Sequence, residues 1–113
     1  KEIGENLKKT SKLCRELKID KKEFFGGSMT ISSLGGIGGT HFTPIINPPE
    51  VAILGVGKSF DKLIKIKDKI VSRKILPISL SYDHRIIDGA EGARFCVHLG
   101  KCLGKDFAFK LAV

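Results

Sequence analysis

Tyr82-Asp83-His84-Arg85-Ile86-Ile87-Asp88-Gly89 sets an imidazole, two carboxylates and a guanidinium between two runs of different periodicity. Before it, Leu76, Ile78, Leu80 and Tyr82 fall at every second position of Ile75 to Tyr82, which predicts a half-buried strand. After it, Ala93, Cys96, Leu99 and Leu103 recur at steps of three and four, which predicts a helix over Gly89 to Leu103. His84 should therefore stand at a strand's end facing a helix start, in the kind of connection that carries chemistry. A histidine there can exchange protons near neutral pH. The octet fits equally well an inert loop in which Asp83, Arg85 and Asp88 hold one another in salt bridges. Taken alone, it does not choose.

Upstream, Val51-Ala52-Ile53-Leu54-Gly55-Val56 is apolar on both faces, as a central strand is. Leu63 to Lys67 and Ile70 to Arg73 flank Asp68-Lys69, the pattern of a basic hairpin. Ser28 to Ser32 reads as a short strand entering the glycine-rich loop Gly35-Gly36-Ile37-Gly38-Gly39. At the start, Ile3, Leu7, Thr10, Cys14 and Leu17 describe an amphipathic helix with lysines on its outer face. It has no capping residue before it, the expectation being a chain cut from something longer. Asp20-x-x-Glu23 has the form of a capping box for one further turn.

A chain of 113 residues, 42% hydrophobic, can bury one modest core. No apolar run approaches the ~20 residues of a membrane-spanning helix, and the first residues lack the apolar core of a signal peptide. The expectation is a soluble, intracellular protein without a membrane partner. Three cysteines, Cys14, Cys96 and Cys102, show neither a disulfide framework nor a zinc pattern and are expected to be buried small hydrophobes. The net charge of +8 suits an anionic partner, but the lysines crowd Lys1 to Lys22 and Lys58 to Lys74 without interleaved aromatics. A solvated basic face is preferred to nucleic-acid binding.

Several tempting motifs fail. Gly55-Val56-Gly57-Lys58-Ser59 resembles the end of a phosphate-binding loop, but Ala52 stands where that motif needs glycine. Gly36-Ile37-Gly38 starts a dinucleotide fingerprint whose third glycine would be His41. His98 reads as a helix-surface or satisfied core histidine and His41 has no carboxylate or histidine at ligand spacing, so no metal site is expected.

Three segments read together carry a resemblance: Gly26 to Thr40, Pro44 to Val56, and Asp83-His84-Arg85-Ile86-Ile87-Asp88-Gly89. They closely resemble, in order, the catalytic domain of the dihydrolipoamide acyltransferases, the E2 enzymes of 2-oxo-acid dehydrogenase complexes. Ser32-Ser33-Leu34-Gly35, His41-Phe42-Thr43-Pro44 and Gly55 to Ser59 look most like the acetyltransferase of pyruvate dehydrogenase, with succinyl- and branched-chain enzymes as alternatives. The resemblance implies an α/β (α+β) fold, a chloramphenicol-acetyltransferase-like mixed sheet flanked by helices. The whole chain, 1–113, would be the C-terminal part of that domain, its N-terminal half missing and no lipoyl or peripheral-subunit-binding domain present.

The activity so implied moves an acetyl group between dihydrolipoamide and coenzyme A, the lipoyl group being carried on a separate domain. The catalytic residues carried over are His84 as general base, Ser32 as donor to the tetrahedral oxyanion, and Asp88 in an orienting role through an arginine network. Ser33, Leu34, Gly35 and Gly57 match positions beside coenzyme A, where small residues let the pantetheine arm pass. Implied partners are a homotrimer building a larger core, with His84 and Ser32 from different subunits, together with lipoyl domains and the E1 and E3 subunits. The complex, fed by glycolysis, would be cytoplasmic, or in the mitochondrial matrix of a eukaryote. A half-domain alone is expected to be weakly active or inactive. Leu17 stands where the family often has glycine, which bears on how the first helix ends.

Overall fold

The computed structural model describes residues 1–104, apart from the side chain of Phe24. Helix α1 spans Glu2–Arg15 and is followed by a 3-10 turn, Lys21–Phe24. Strands β1 (Thr30–Ser33), β2 (Ala52–Val56), β3 (Phe60–Ile66), β4 (Lys69–Ile75) and β5 (Ile78–Tyr82) follow, and helix α2 (Gly89–Cys102) closes the described part.

The apolar run at Val51 to Val56 becomes the central strand. β2 pairs in parallel with β1 and antiparallel with β5, giving a mixed three-stranded sheet in the order β1-β2-β5. Ala52, Ile53 and Leu54, covered on both faces, are the buried apolar core. One face lies under α2: a Cβ on Gly92 would fall 2.8 Å from the Tyr82 ring, and Leu80, Ala52 and Phe95 line the small apolar space beside it. The other lies under the 34–50 loop, where a Cβ on Gly55 would meet Phe42 at 2.9 Å and Pro44 at 3.2 Å. Helix and loop thus clamp the sheet by passing close to glycines.

β3 and β4 form a separate two-stranded hairpin in which Ile66 pairs with Lys69. Its turn is Lys67-Asp68, both at positive φ (47° and 65°), not the Asp68-Lys69 expected from the flanking runs. A two-residue loop with both residues left-handed matches the twist of the strands it joins, which is why the register closes there. Likewise β5 begins at Ile78, because Pro77 has no N–H for the ladder.

Helix α1 ends in a Schellman motif. The Lys18 N–H donates to Leu13 O at 3.0 Å and the Leu17 N–H to Cys14 O at 3.2 Å, with Leu17 left-handed at φ 56°. Glycine takes that conformation freely, whereas leucine meets its own Cβ. Leu17 is 91% exposed, so its side chain gives no burial in return. Leu17→Gly should therefore stabilise the chain by ~1 kcal/mol, read as a rise in the urea midpoint at unchanged slope.

The cysteines do not match expectation. Cys14 and Cys96 are half-buried and Cys102 is exposed, its Sγ 3.6 Å from His98 Nε2. For Cys14 the reason is that α1 buries none of its residues, with Ile3 (84% exposed) and Leu7 (67%) open on its apolar face, while α2, which carries Cys96 and Cys102, buries Gly92 alone among its described residues. The Cα radius of gyration, 16.9 Å, exceeds the ~13 Å of a compact chain of about this length. No helix among the described residues is long and apolar enough to cross a membrane.

Candidate active site

The loop after β5 is held by bonds legible in its residues. The Asp83 N–H donates to Val51 O at 2.8 Å, adding one rung beyond the end of β2. Its carbonyl accepts from the Ile86 and Ile87 N–H groups at 3.0 and 2.9 Å, and its carboxylate accepts from the Arg85 backbone N–H at 3.0 Å. The same carboxylate takes a bidentate fork from Arg85, Nε at 3.0 Å and Nη2 at 2.8 Å. His84 lies between these anchored residues and is exposed. Its ring centroid is 5.8 Å from that of Tyr82, and its Nε2 reaches to 3.7 Å from where a Cβ on Gly89 would stand. An open groove of about 540 Å³ runs past it, walled by Pro48, Pro49, Val51, Tyr82 and Ile86.

The Arg85 hydrogen bonds lower the Asp83 carboxyl from 3.8 to about 2, and the carboxylate raises the guanidinium in return. A depressed folded-state value stabilises the loop at pH above the unfolded carboxyl value, and that contribution is lost as pH falls through about 2. An NMR titration of the Asp83 carboxyl should therefore show a midpoint near 2, moving toward 3.8 in Arg85→Ala. A midpoint of 3.8 in the parent would show that the fork is absent in solution.

Asp88 does not join the arginine as expected. Its carboxylate accepts from the Glu91 N–H at 2.8 Å and caps α2, and among the described residues Arg85 pairs with Asp83. Asp88-x-x-Glu91 has the spacing of a capping box, the sequence signal for this role.

Ser32 is half-buried in β1, level with Gly55 on the face under the 34–50 loop. Ser33, Leu34, Gly35 and Gly57 gather at that end of the sheet: the Leu34 N–H donates to Val56 O at 3.0 Å, and a Cβ on Gly35 would meet Gly57 O at 3.4 Å. At Gly57 itself the space is taken by the Thr40 carbonyl, so its missing side chain serves loop packing.

His84 and Ser32 lie at opposite ends of the sheet. Ser32 is level with Gly55, whereas Tyr82 is level with Ala52 and His84 lies two residues further on. Three steps along the strand and two strand spacings already separate Ser32 from Tyr82 by ~14 Å. Within the chain as folded, Ser32 and His84 do not approach a common atom. Invisible to sequence reasoning was the hydrogen bond from the Thr30 hydroxyl to Glu50 behind the groove wall. Its one signal is an acidic residue directly after Pro48-Pro49.

Residues 1–108 match the family model described as 2-oxoacid dehydrogenases acyltransferase (catalytic domain). The chain is 51% identical over 106 residues to the dihydrolipoyllysine-residue acetyltransferase component of the pyruvate dehydrogenase complex of Cupriavidus necator, covering 94% of this chain and 19% of that protein. With the same component of Haemophilus influenzae it shares 54% over 102 residues, 90% of this chain and 18% of the relative. It thus spans less than a fifth of their length. Its backbone superposes on Azotobacter vinelandii dihydrolipoamide acetyltransferase with a TM-score of 0.89 at 45% identity, covering 95% of this chain and 44% of that one. On the cubic core of the pyruvate dehydrogenase multienzyme complex the TM-score is 0.80 at 48% identity, over 86% of this chain and 40% of that one. The mixed sheet with its helices has the fold of these cores.

Proposed function

Because the chain belongs to the 2-oxoacid dehydrogenase acyltransferase family, we propose that it supplies the His84 side of a site transferring acetyl between dihydrolipoamide and coenzyme A. The observation that carries the proposal is His84 itself, exposed in a groove and fixed through the Asp83 anchors on a fold shared with acetyltransferase cores. The crystallographic and enzymatic study of the Azotobacter vinelandii enzyme concerns a serine, a histidine and an asparagine in its catalytic mechanism. Those three are spaced along that chain as Ser32, His84 and Asp88 are along this one, with aspartate here in place of asparagine.

The chemistry follows from the residue types. His84 takes the proton of the attacking thiol, and the thiolate forms a carbon–sulfur bond to the acetyl carbonyl of the thioester. The carbonyl oxygen becomes an oxyanion, to which Ser32 of a second copy donates its hydroxyl. Collapse breaks the other carbon–sulfur bond, and the departing thiolate recovers the proton from His84. Ser33, Leu34 and Gly35 would border coenzyme A, while Asp88 would hold the start of α2 behind His84. Acetyl is favoured over succinyl or branched-chain groups because the relatives quoted are acetyltransferases.

A core of trimers serving lipoyl domains, E1 and E3 completes the proposal, supported by the cubic core on which the chain superposes. Its compartment would be the cytoplasm, or the mitochondrial matrix of a eukaryote. The separation of Ser32 from His84 allows a decisive test in the full-length protein. Ser32→Ala and His84→Ala, each nearly inactive alone, should regain about a quarter of parental acetyl transfer when mixed and reassembled one to one, since a random pairing joins both intact residues in that fraction of sites. No recovery in properly assembled mixtures would show that both residues act within one chain.

A further inference from the structure

We propose that Glu50 is a positioning residue for this site: hydrogen-bonded to Thr30, it fixes the Pro48–Pro49 wall of the groove relative to His84. The proposal rests on the acyl-transfer function above. Glu50 is half-buried, and the Thr30 hydroxyl at the start of β1 donates to its Oε1. Its backbone N–H donates to Asn47 O at 3.0 Å, closing the turn that contains the cis Pro48–Pro49 peptide. The next residue, Val51, offers its carbonyl to the Asp83 N–H at 2.8 Å, one peptide before His84. Glu50, Val51 and His84 all line the same groove.

One hydrogen-bonded path therefore runs from β1 through Glu50 to the peptide that carries His84, and the proline wall hangs from its middle. A carboxylate withdrawn from water must keep its hydrogen bonds or be costly. Holding a substrate channel at fixed width beside the base is a role that justifies it. The two prolines supply a stiff wall but no side-chain hydrogen bond of their own. Thr30 and Glu50 are 20 residues apart, so the bond is a tertiary tether between a strand and the loop that carries the two prolines.

The test uses the full-length assembled protein with Glu50→Ala, Glu50→Gln, Thr30→Val and Thr30→Ser. Breaking the tether in Glu50→Ala or Thr30→Val should raise KM for one of the two thiol substrates on the order of tenfold, with kcat within about threefold. Glu50→Gln and Thr30→Ser, which keep an acceptor and a donor, should stay near the parent. The double variant Thr30→Val/Glu50→Ala should be no worse than either single one, because both remove the same bond. A second readout needs no turnover: the rate at which diethyl pyrocarbonate modifies His84, followed by mass spectrometry at that residue, should change at least threefold in Glu50→Ala. Unchanged KM values and an unchanged modification rate in a folded Glu50→Ala protein would overturn the proposal, as would Glu50→Gln failing as badly as Glu50→Ala. If the parent itself transfers no acetyl, the acyl-transfer function is what fails, and the modification rate still decides the tether.

Discussion

Replacing His84 by alanine is expected to lower kcat for acetyl transfer about a thousandfold, with KM for both thiols within a few fold of the parent. A thiol of ordinary pKa, ~8.5, is only a few per cent ionised at neutral pH, so roughly half of the barrier that the imidazole removes is the cost of making the thiolate. The deficit should shrink as pH rises toward 9, because solvent then ionises the thiol unaided, and this pH dependence separates a lost base from a lost contact. The fold should be indifferent: His84 is exposed, and the bonds that shape its loop belong to Asp83, Arg85, Ile86 and Ile87. Ser32→Ala should cost on the order of a hundredfold in kcat, the scale of one oxyanion donor. A folded, assembled His84→Ala protein retaining a third of parental activity would return the octet to the inert salt-bridged loop that its residues alone also allow.

That ambiguity shows where local pattern stops. β2 was legible because six consecutive apolar residues need cover on both faces, and α2, which ends at Cys102 just short of Leu103, because Ala93, Cys96 and Leu99 recur at helical spacing. The Asp83–Arg85 pairing is likewise local, two residues apart. The partner of Asp88 differed from expectation: the family resemblance suggested an arginine, while the nearest unsatisfied donors were the first N–H groups of α2. The cysteines were misjudged because burial depends on what packs against a helix, and nothing in the spacing of Cys14 says that α1 lies uncovered. The Thr30–Glu50 bond and the Thr40 carbonyl at Gly57 join residues far apart in sequence. Such contacts follow from sheet order and loop path, neither of which has a local period.

The second large effect tests that long-range packing. Gly57→Ala is expected to destabilise the chain by ~3 kcal/mol and to lower transfer through the Ser32 end of the site. A Cβ there would stand 2.2 Å from the Thr40 carbonyl oxygen and 3.0 Å from Pro77 Cγ. The nearer obstacle is backbone, which cannot rotate aside as a side chain does, and the farther one belongs to a rigid ring, so the cost falls at the upper end of the usual overpacking range. Relief requires moving the 39–40 segment away from β2. That would stretch the Lys58 N–H to Gly39 O bond at 3.0 Å, or else the Gly57 N–H to Pro77 O bond at 2.9 Å. The loop so displaced continues to Phe42 and Pro44, which cover Gly55 directly beside Ser32. Gly36→Ala is the matched control: nothing lies within 4 Å of its added methyl, so stability should stay within ~0.5 kcal/mol of the parent. Urea denaturation of the two variants decides the matter. Equal midpoints would mean that the 34–50 loop is not seated on β2 in solution, and Ser32 would then lack the support that places it.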